Sequence, residues 1–205
     1  MPRPRFLRLP DERRQALLDT AARCFAAEGY QGAAMNDVLA AMALSKGAAY
    51  YLWDDKADLY ITTLGHAADT LAGTRGLDLA RLDAAHFWPA LREMYRRQLA
   101  VLQERPYLMA VLRSARQVVA DPVLGPQIQE RLGTILDLQT SVIRVGRAMG
   151  AIRDDLPEDL QAALLGGLDE AIDGWLLAHP DRLGGKDGAA LTDAAFDVLR
   201  RALGT

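Results

Sequence analysis

The residues best equipped for chemistry in this chain are hydrogen-bond donors, and they gather in one short stretch. Ser45, Lys46, Gly47, Ala48, Tyr50, Tyr51 and Lys56 follow one another closely. Ammonium and phenol groups donate to phosphate oxygens and base edges, while glycine and alanine let a backbone approach a groove. Elsewhere the titratable groups are dispersed. His66, His86 and His179 are far apart and singly placed, so they give no metal-ligand spacing. Asp169 and Asp173 stand at i, i+4, a pair that could serve acid/base work. Solvated charge, or a polar contact in a ligand cavity, accounts for them more simply. Cys24 lies beside an apolar stripe as a small core residue. No nucleophile elbow, phosphate-binding loop, dinucleotide fingerprint or paired-histidine motif occurs. No enzymatic activity, cofactor or metal is expected.

Two short helices must position the donors. Met35, Val38, Leu39 and Met42 recur at i, i+3, i+4, i+7, the buried face of one helix. After a break at Ala43-Leu44, Ser45 can cap a second helix from Lys46 to about Leu52. That helix turns Lys46, Gly47, Ala48, Tyr50 and Tyr51 outward, with Ala49 and Trp53 inward. A short helix, a tight turn and a second short helix describe a helix-turn-helix. Neither is long enough to be stable alone. A preceding helix from Asp11, with Leu17 or Leu18, Ala21, Ala22 and Phe25 along one side and Gly29 at its end, supplies the support. Before it, residues 1–9 alternate Pro and Arg without helical period and read as a mobile basic arm.

The same residues resemble the DNA-binding domain of the TetR family of transcriptional regulators. Phe25, Gly29, Tyr30, Asp37, Val38, Ser45, Gly47, Tyr50, Trp53, Lys56 and Leu59 match the family pattern in an ungapped spacing. The likeness is close over about residues 10–60 and only general beyond. It implies that Tyr50, Lys46 and Lys56 position the DNA backbone, with Ala48 and Tyr51 nearer the base edges. The chain departs from the family where Ala33-Ala34 replaces a hydroxyl pair that caps the second helix, leaving Asn36 as the nearest substitute. It departs again at Ala43, where the family has glycine.

With 205 residues the chain can bury a sizeable core. Ala and Leu dominate and aromatics are scarce, which favours helices over sheets. No apolar run is long enough to span a membrane. The basic start lacks an apolar signal core, and one cysteine suits a reducing compartment, so a cytoplasmic location is expected. Residues 1–53 hold seven basic groups against five acidic, whereas the whole chain has net charge −3. The basic excess therefore lies at the amino end, where phosphate contact is expected.

An all-α protein of about nine helices follows. Residues 1–60 form the helix-turn-helix domain, and residues 61–205 form a helical ligand-binding and dimerisation domain. A helix from 54 to about 72 ends at Gly73–Gly76, further helices are expected near 83–104, 106–119, 123–149 and 188–203, and another begins at Pro157-Glu158 and carries Leu160 through Trp175. His66, Trp88, Met94, Tyr95, Met109, Arg113, Arg116, Gln117 and Asp169 exceed what a minimal core needs, and they are the candidates for a small-molecule cavity. Leu164, Leu168, Ile172 and Trp175, with Leu191, Ala195, Val198, Leu199 and Ala202, give the two final helices a broad apolar surface for pairing with a second copy. TetR-family proteins pair these helices in a four-helix bundle. The partners expected are double-stranded DNA, a second copy of the chain and an unidentified small-molecule effector. A homodimeric repressor, released from a near-palindromic operator by that effector, is the function implied. An all-helical small-molecule-binding or scaffold protein that never meets DNA is the alternative.

Overall fold

The computed structural model describes residues 2–73, 78–183 and 185–205. Ten α-helices form among them: α1 Pro4–Leu7, α2 Asp11–Gly32, α3 Met35–Ala41, α4 Lys46–Tyr50, α5 Lys56–Gly73, α6 Ala84–Glu104, α7 Tyr107–Ser114, α8 Leu124–Ala148, α9 Glu158–Ala178 and α10 Gly185–Leu203. No strand forms among the described residues, and Ile152 and Gly204 make one isolated antiparallel bridge. The all-α expectation holds, with one helix more than expected. The extra one is α1, at Pro4–Leu7 within the segment expected to be a loose arm. The Gly73–Gly76 break falls largely outside the described residues. The final helix begins at Gly185 rather than 188, with Asp187 in its first turn, where the helix dipole favours an acid.

The chain divides into two compact units. The first comprises residues 1–71 and 105–134. Its core gathers Leu17, Ala21 and Phe25 of α2, Leu59, Tyr60 and Leu64 of α5, and Leu108 of α7, all essentially inaccessible to solvent. Phe25 meets the edge of Tyr60 at 4.9 Å. The Tyr60 hydroxyl, which burial would otherwise leave unsatisfied, shares a 2.8 Å hydrogen bond with Ser114. Arg23 lies 4.0 Å over the Tyr107 ring, so α7 packs along α2. Gly29 adopts φ 69, ψ 174, a conformation open to glycine, and breaks α2 where the sequence placed its end.

The second unit comprises residues 72–104 and 135–205. Phe87, Leu91, Tyr95 and Leu99 of α6 face inward with Phe196, Leu199 and Leu203 of α10. Arg96 donates from Nε and Nη2, one edge of its guanidinium, to both carboxylate oxygens of Asp193, and Arg92 reaches Asp197 at 2.5 Å, fastening α6 to α10. The Arg96 hydrogen bonds hold the Asp193 carboxyl below its ordinary pKa. Residues 149–157 form a strap after α8. Trp88 donates to the Ala151 carbonyl at 3.0 Å, the Arg153 amide donates to the Leu203 carbonyl at 2.9 Å, and Arg147 donates to the Leu156 carbonyl at 2.6 Å. Gln161, wholly buried, accepts from Arg147 and donates to the Arg153 carbonyl.

Candidate nucleic-acid interface and ligand cavity

The turn between α3 and α4 is built from residues 42–45. Val38, Leu39 and Met42 are buried as their spacing requires, while Met35 is half-buried. Ala43 takes φ 53, a left-handed conformation that disfavours a side chain. The Leu44 amide returns to the Leu39 carbonyl at 2.9 Å. Ser45 then caps α4, its hydroxyl oxygen accepting from the Ala48 amide at 3.2 Å. No side-chain hydrogen bond caps α3 at Ala34, so Asn36 does not replace the missing hydroxyl.

Burial sorts the residues of α4 by side. Ala49 and Trp53 are 1% exposed, whereas Tyr50 is 51% and Tyr51 57% exposed. Ser45, Lys46, Gly47 and Ala48 are exposed too, and a Cβ on Gly47 would meet nothing within 4 Å. Lys56 is half-buried. Its ammonium stands 4.7 Å above the Tyr30 ring, and desolvation lowers its pKa. The result is a convex row of donors and small residues resting on an apolar base.

The amino-terminal arm is fastened beside this row. The Arg3 amide donates to the Leu52 carbonyl at 2.9 Å, and its guanidinium pairs with Asp54 at 2.7 Å. Phe6 is 3% exposed and packs on Trp53 at 5.0 Å. Arg14 of α2 donates to the carbonyls of Leu7 and Leu9 at 2.9 and 3.0 Å. The expectation of a mobile arm is therefore corrected: one buried aromatic and these polar ties hold it in place.

A cavity of about 70 Å³ lies in the second unit, between α6, α8, α9, α10 and the strap. Of the expected ligand-binding residues, Trp88, Met94, Tyr95 and Asp169 line it. His66, Met109, Arg113, Arg116 and Gln117 belong to the first unit and do not. The physical reason is that α7 packs on α2. His66 binds Asp19 at 2.9 Å, and Gln117 lies against Gly29. Gln98, Leu138, Gln139, Val142, Ile152, Leu165 and Phe196 complete much of the wall without having been singled out. Gln98 could have been found, one turn beyond Met94 and Tyr95 on the same helix. Tyr95 is 4% exposed, and its hydroxyl finds no hydrogen-bond partner among the described residues. Burial, then the charges of Asp173 and Asp169, push its pKa upward.

The residues expected at a dimer contact divide. Leu164, Trp175 and Val198 are exposed, and Leu160 joins them. Leu168, Ile172, Leu191, Ala195 and Ala202 are half-buried. Leu199 is buried and lines the cavity. His179 stacks on Trp175 at 4.3 Å.

A supported helix-turn-helix with an outward donor row, followed by a helical unit enclosing a cavity, defines the class of helix-turn-helix regulators. The chain's amino-terminal segment carries the DNA-binding domain of the TetR family of transcriptional regulators. Residues 17–62 match the family model described as bacterial regulatory proteins, tetR family. Over 194 residues the chain is 29% identical to the HTH-type transcriptional repressor Rv1474c of Mycobacterium tuberculosis, covering 92% of this chain and 94% of that protein. It is 27% identical over 169 residues to the HTH-type transcriptional repressor AcnR of Corynebacterium diphtheriae, with 80% and 79% covered. The fold resembles that of the fatty acid degradation regulator FadR from Bacillus halodurans, with TM-score 0.74, 18% identity, and 90% and 96% of the two chains covered. No described helix is long and apolar enough to cross a membrane.

Proposed function

We propose that the chain is a cytoplasmic, homodimeric repressor that leaves its operator when a small molecule enters the cavity. Residues 1–60 read DNA, and residues 61–205 pair the subunits and receive the ligand. Two copies would set their α4 helices in successive major grooves about 34–36 Å apart, on a near-palindromic site. Lys46, Tyr50 and Lys56 hold the phosphate backbone, Ser45 and Gly47 permit close approach, and Ala48 faces the base edges. The observation that carries this assignment is the split of α4 and the turn after it, with Lys46 and Tyr50 exposed while Ala49 and Trp53 are buried. The apolar residues left exposed on α9 and α10, Leu164, Trp175 and Val198, suit pairing with a second copy.

The cavity supports a statement about the effector. Drug-sized sites occupy about 300–1,000 Å³, so a ligand must widen a space of about 70 Å³. A ligand that fits only the widened form has the differential affinity needed to shift the equilibrium between two arrangements. Among the described residues the lining contains the carboxylate of Asp169 and the Tyr95 phenol but no lysine, arginine or histidine. An apolar compound with a hydrogen-bond donor or a cationic group fits that lining, and a carboxylate does not. Fluorescence anisotropy on duplex from the chain's own upstream region tests the assignment. Lys46→Ala is expected to weaken binding at least tenfold while light scattering still reports a dimer. Binding unchanged by Lys46→Ala and by Tyr50→Phe would remove α4 as the reading element.

A further inference from the structure

We infer that the docked amino-terminal arm is a second DNA-contact element: Arg5 and Arg8 bind backbone phosphates beside the half-site read by α4, and Tyr51 serves as the platform that holds Arg5. The inference rests on the DNA-binding role proposed above. Its first ground is the placement of charge. Arg3 is neutralised by Asp54, and Arg14 by Asp11. Arg5 and Arg8 are exposed and have no ion-pair partner among the described residues. Both line an open cleft of about 490 Å³ with Arg3, Pro4 and Tyr51, the last of these an exposed residue at the carboxyl end of α4. The cleft continues the donor row past Tyr50.

The second ground is rigidity. Phe6 in the core, the Arg3 amide on Leu52 and Arg14 on two arm carbonyls fix the backbone that carries Arg5 and Arg8. A cation held in place before binding loses less freedom when a phosphate arrives. The third ground is the Arg5 guanidinium, 3.8 Å above the Tyr51 ring. A guanidinium stacked on an aromatic face keeps its edge donors directed outward, in the fork that fits two phosphate oxygens. The ring it covers has lost one face for stacking on a base. Tyr51, expected from the sequence as a base reader, is thereby recast as a support for arginine.

Salt titration separates this role from a merely solvated patch. Each phosphate neutralised contributes about 0.9 to the slope of log Kobs against log salt on duplex DNA. The probe is a duplex selected by the full-length protein from a randomised pool, beside an unrelated duplex of equal length. Arg5→Ala and Arg8→Ala should each make the slope shallower by about 0.9 on both duplexes. Arg5→Lys should keep it, because one cation remains, whereas Tyr51→Ala, which removes the platform, should weaken binding to both duplexes. Circular dichroism should report unaltered melting for these surface variants. Slopes unmoved by Arg5→Ala and Arg8→Ala, while Lys46→Ala lowers its own, would overturn the arm's role and leave α4 as reader. A loss confined to the selected duplex would overturn the phosphate assignment in favour of base reading. Wild-type protein without salt-dependent affinity for either duplex would overturn the DNA-binding role itself, and this inference with it.

Discussion

A Cβ atom on Gly146 would lie 2.6 Å from Cζ of Phe87, closer than such atoms approach. The same atom would fall 2.7 Å from Cγ1 and Cδ1 of Ile152. Phe87 and Ile152 are both fully buried, so neither has free space to enter. Glycine at 146 is therefore what lets α8 meet α6 and the strap. Gly146→Ala is expected to destabilise the chain by about 1–3 kcal/mol, the usual cost of overpacking. For a chain of this size, each kcal/mol lowers Tm by roughly 2–4 °C. Thermal unfolding followed by circular dichroism checks it, and Phe87→Leu in the same chain should return part of the loss. An unchanged Tm would mean that the two helices are not so closely apposed.

Gly47 presents the opposite case, since a Cβ there would touch nothing in the protein. In a helix, alanine in place of glycine gains up to about 1 kcal/mol. Gly47→Ala should leave Tm unchanged or raised, yet weaken operator binding several-fold, because the added methyl meets only the DNA. Melting and anisotropy on the same preparation test both halves. Undiminished affinity would show that the backbone at this position stays clear of the groove.

Ala43 holds a left-handed backbone at φ 53 in the turn between α3 and α4. For a residue with a side chain this costs about 1–2 kcal/mol. Glycine would relieve it at an entropic cost of about 0.5–1 kcal/mol. Ala43→Gly should therefore stabilise the chain by roughly 0.5–1 kcal/mol, seen as a small rise in Tm with an unaltered far-ultraviolet spectrum. A fall in Tm would place the turn in another conformation.

The helix-turn-helix was legible because its determinants are local. The spacing of Val38, Leu39 and Met42, the Ser45 cap and the inward Ala49 and Trp53 all lie within a few turns of chain. The arm was not, because its anchor is a contact between Phe6 and Trp53, far apart in sequence, and a Pro-Arg alternation carries no period that announces it. The cavity was partly legible. Helical spacing marks which face of a segment is apolar, but not which neighbour covers it. Met109 and Arg113 lie on α7, which packs on α2, and Leu199 lines the cavity; no spacing within their own helices shows either neighbour. Trp88, Met94, Tyr95 and Asp169 line one space together, since α6 and α9 each offer it an inward face.

Tyr95 allows the ligand assignment to be tested against stability in one substitution. Its hydroxyl is buried and finds no partner among the described residues. A polar group in that state costs about 1–3 kcal/mol of desolvation. In the ligand-free protein, Tyr95→Phe removes that cost and little else, because the ring remains in its packing beside Phe196. The variant should therefore melt at a higher temperature than the parent. If the hydroxyl waits for a ligand group, the same variant should lose effector response, requiring about tenfold more compound to leave DNA when one hydrogen bond is absent. Titration of the protein–DNA complex with a panel of apolar amines, alcohols and carboxylic acids, read by anisotropy, gives that response for both forms. A higher Tm with undiminished response would leave Tyr95 as part of the wall alone. A lower Tm would mean that its hydroxyl is bonded within the fold, and the polar fixture of the cavity would then have to be sought at Asp169, Gln98 or Gln139.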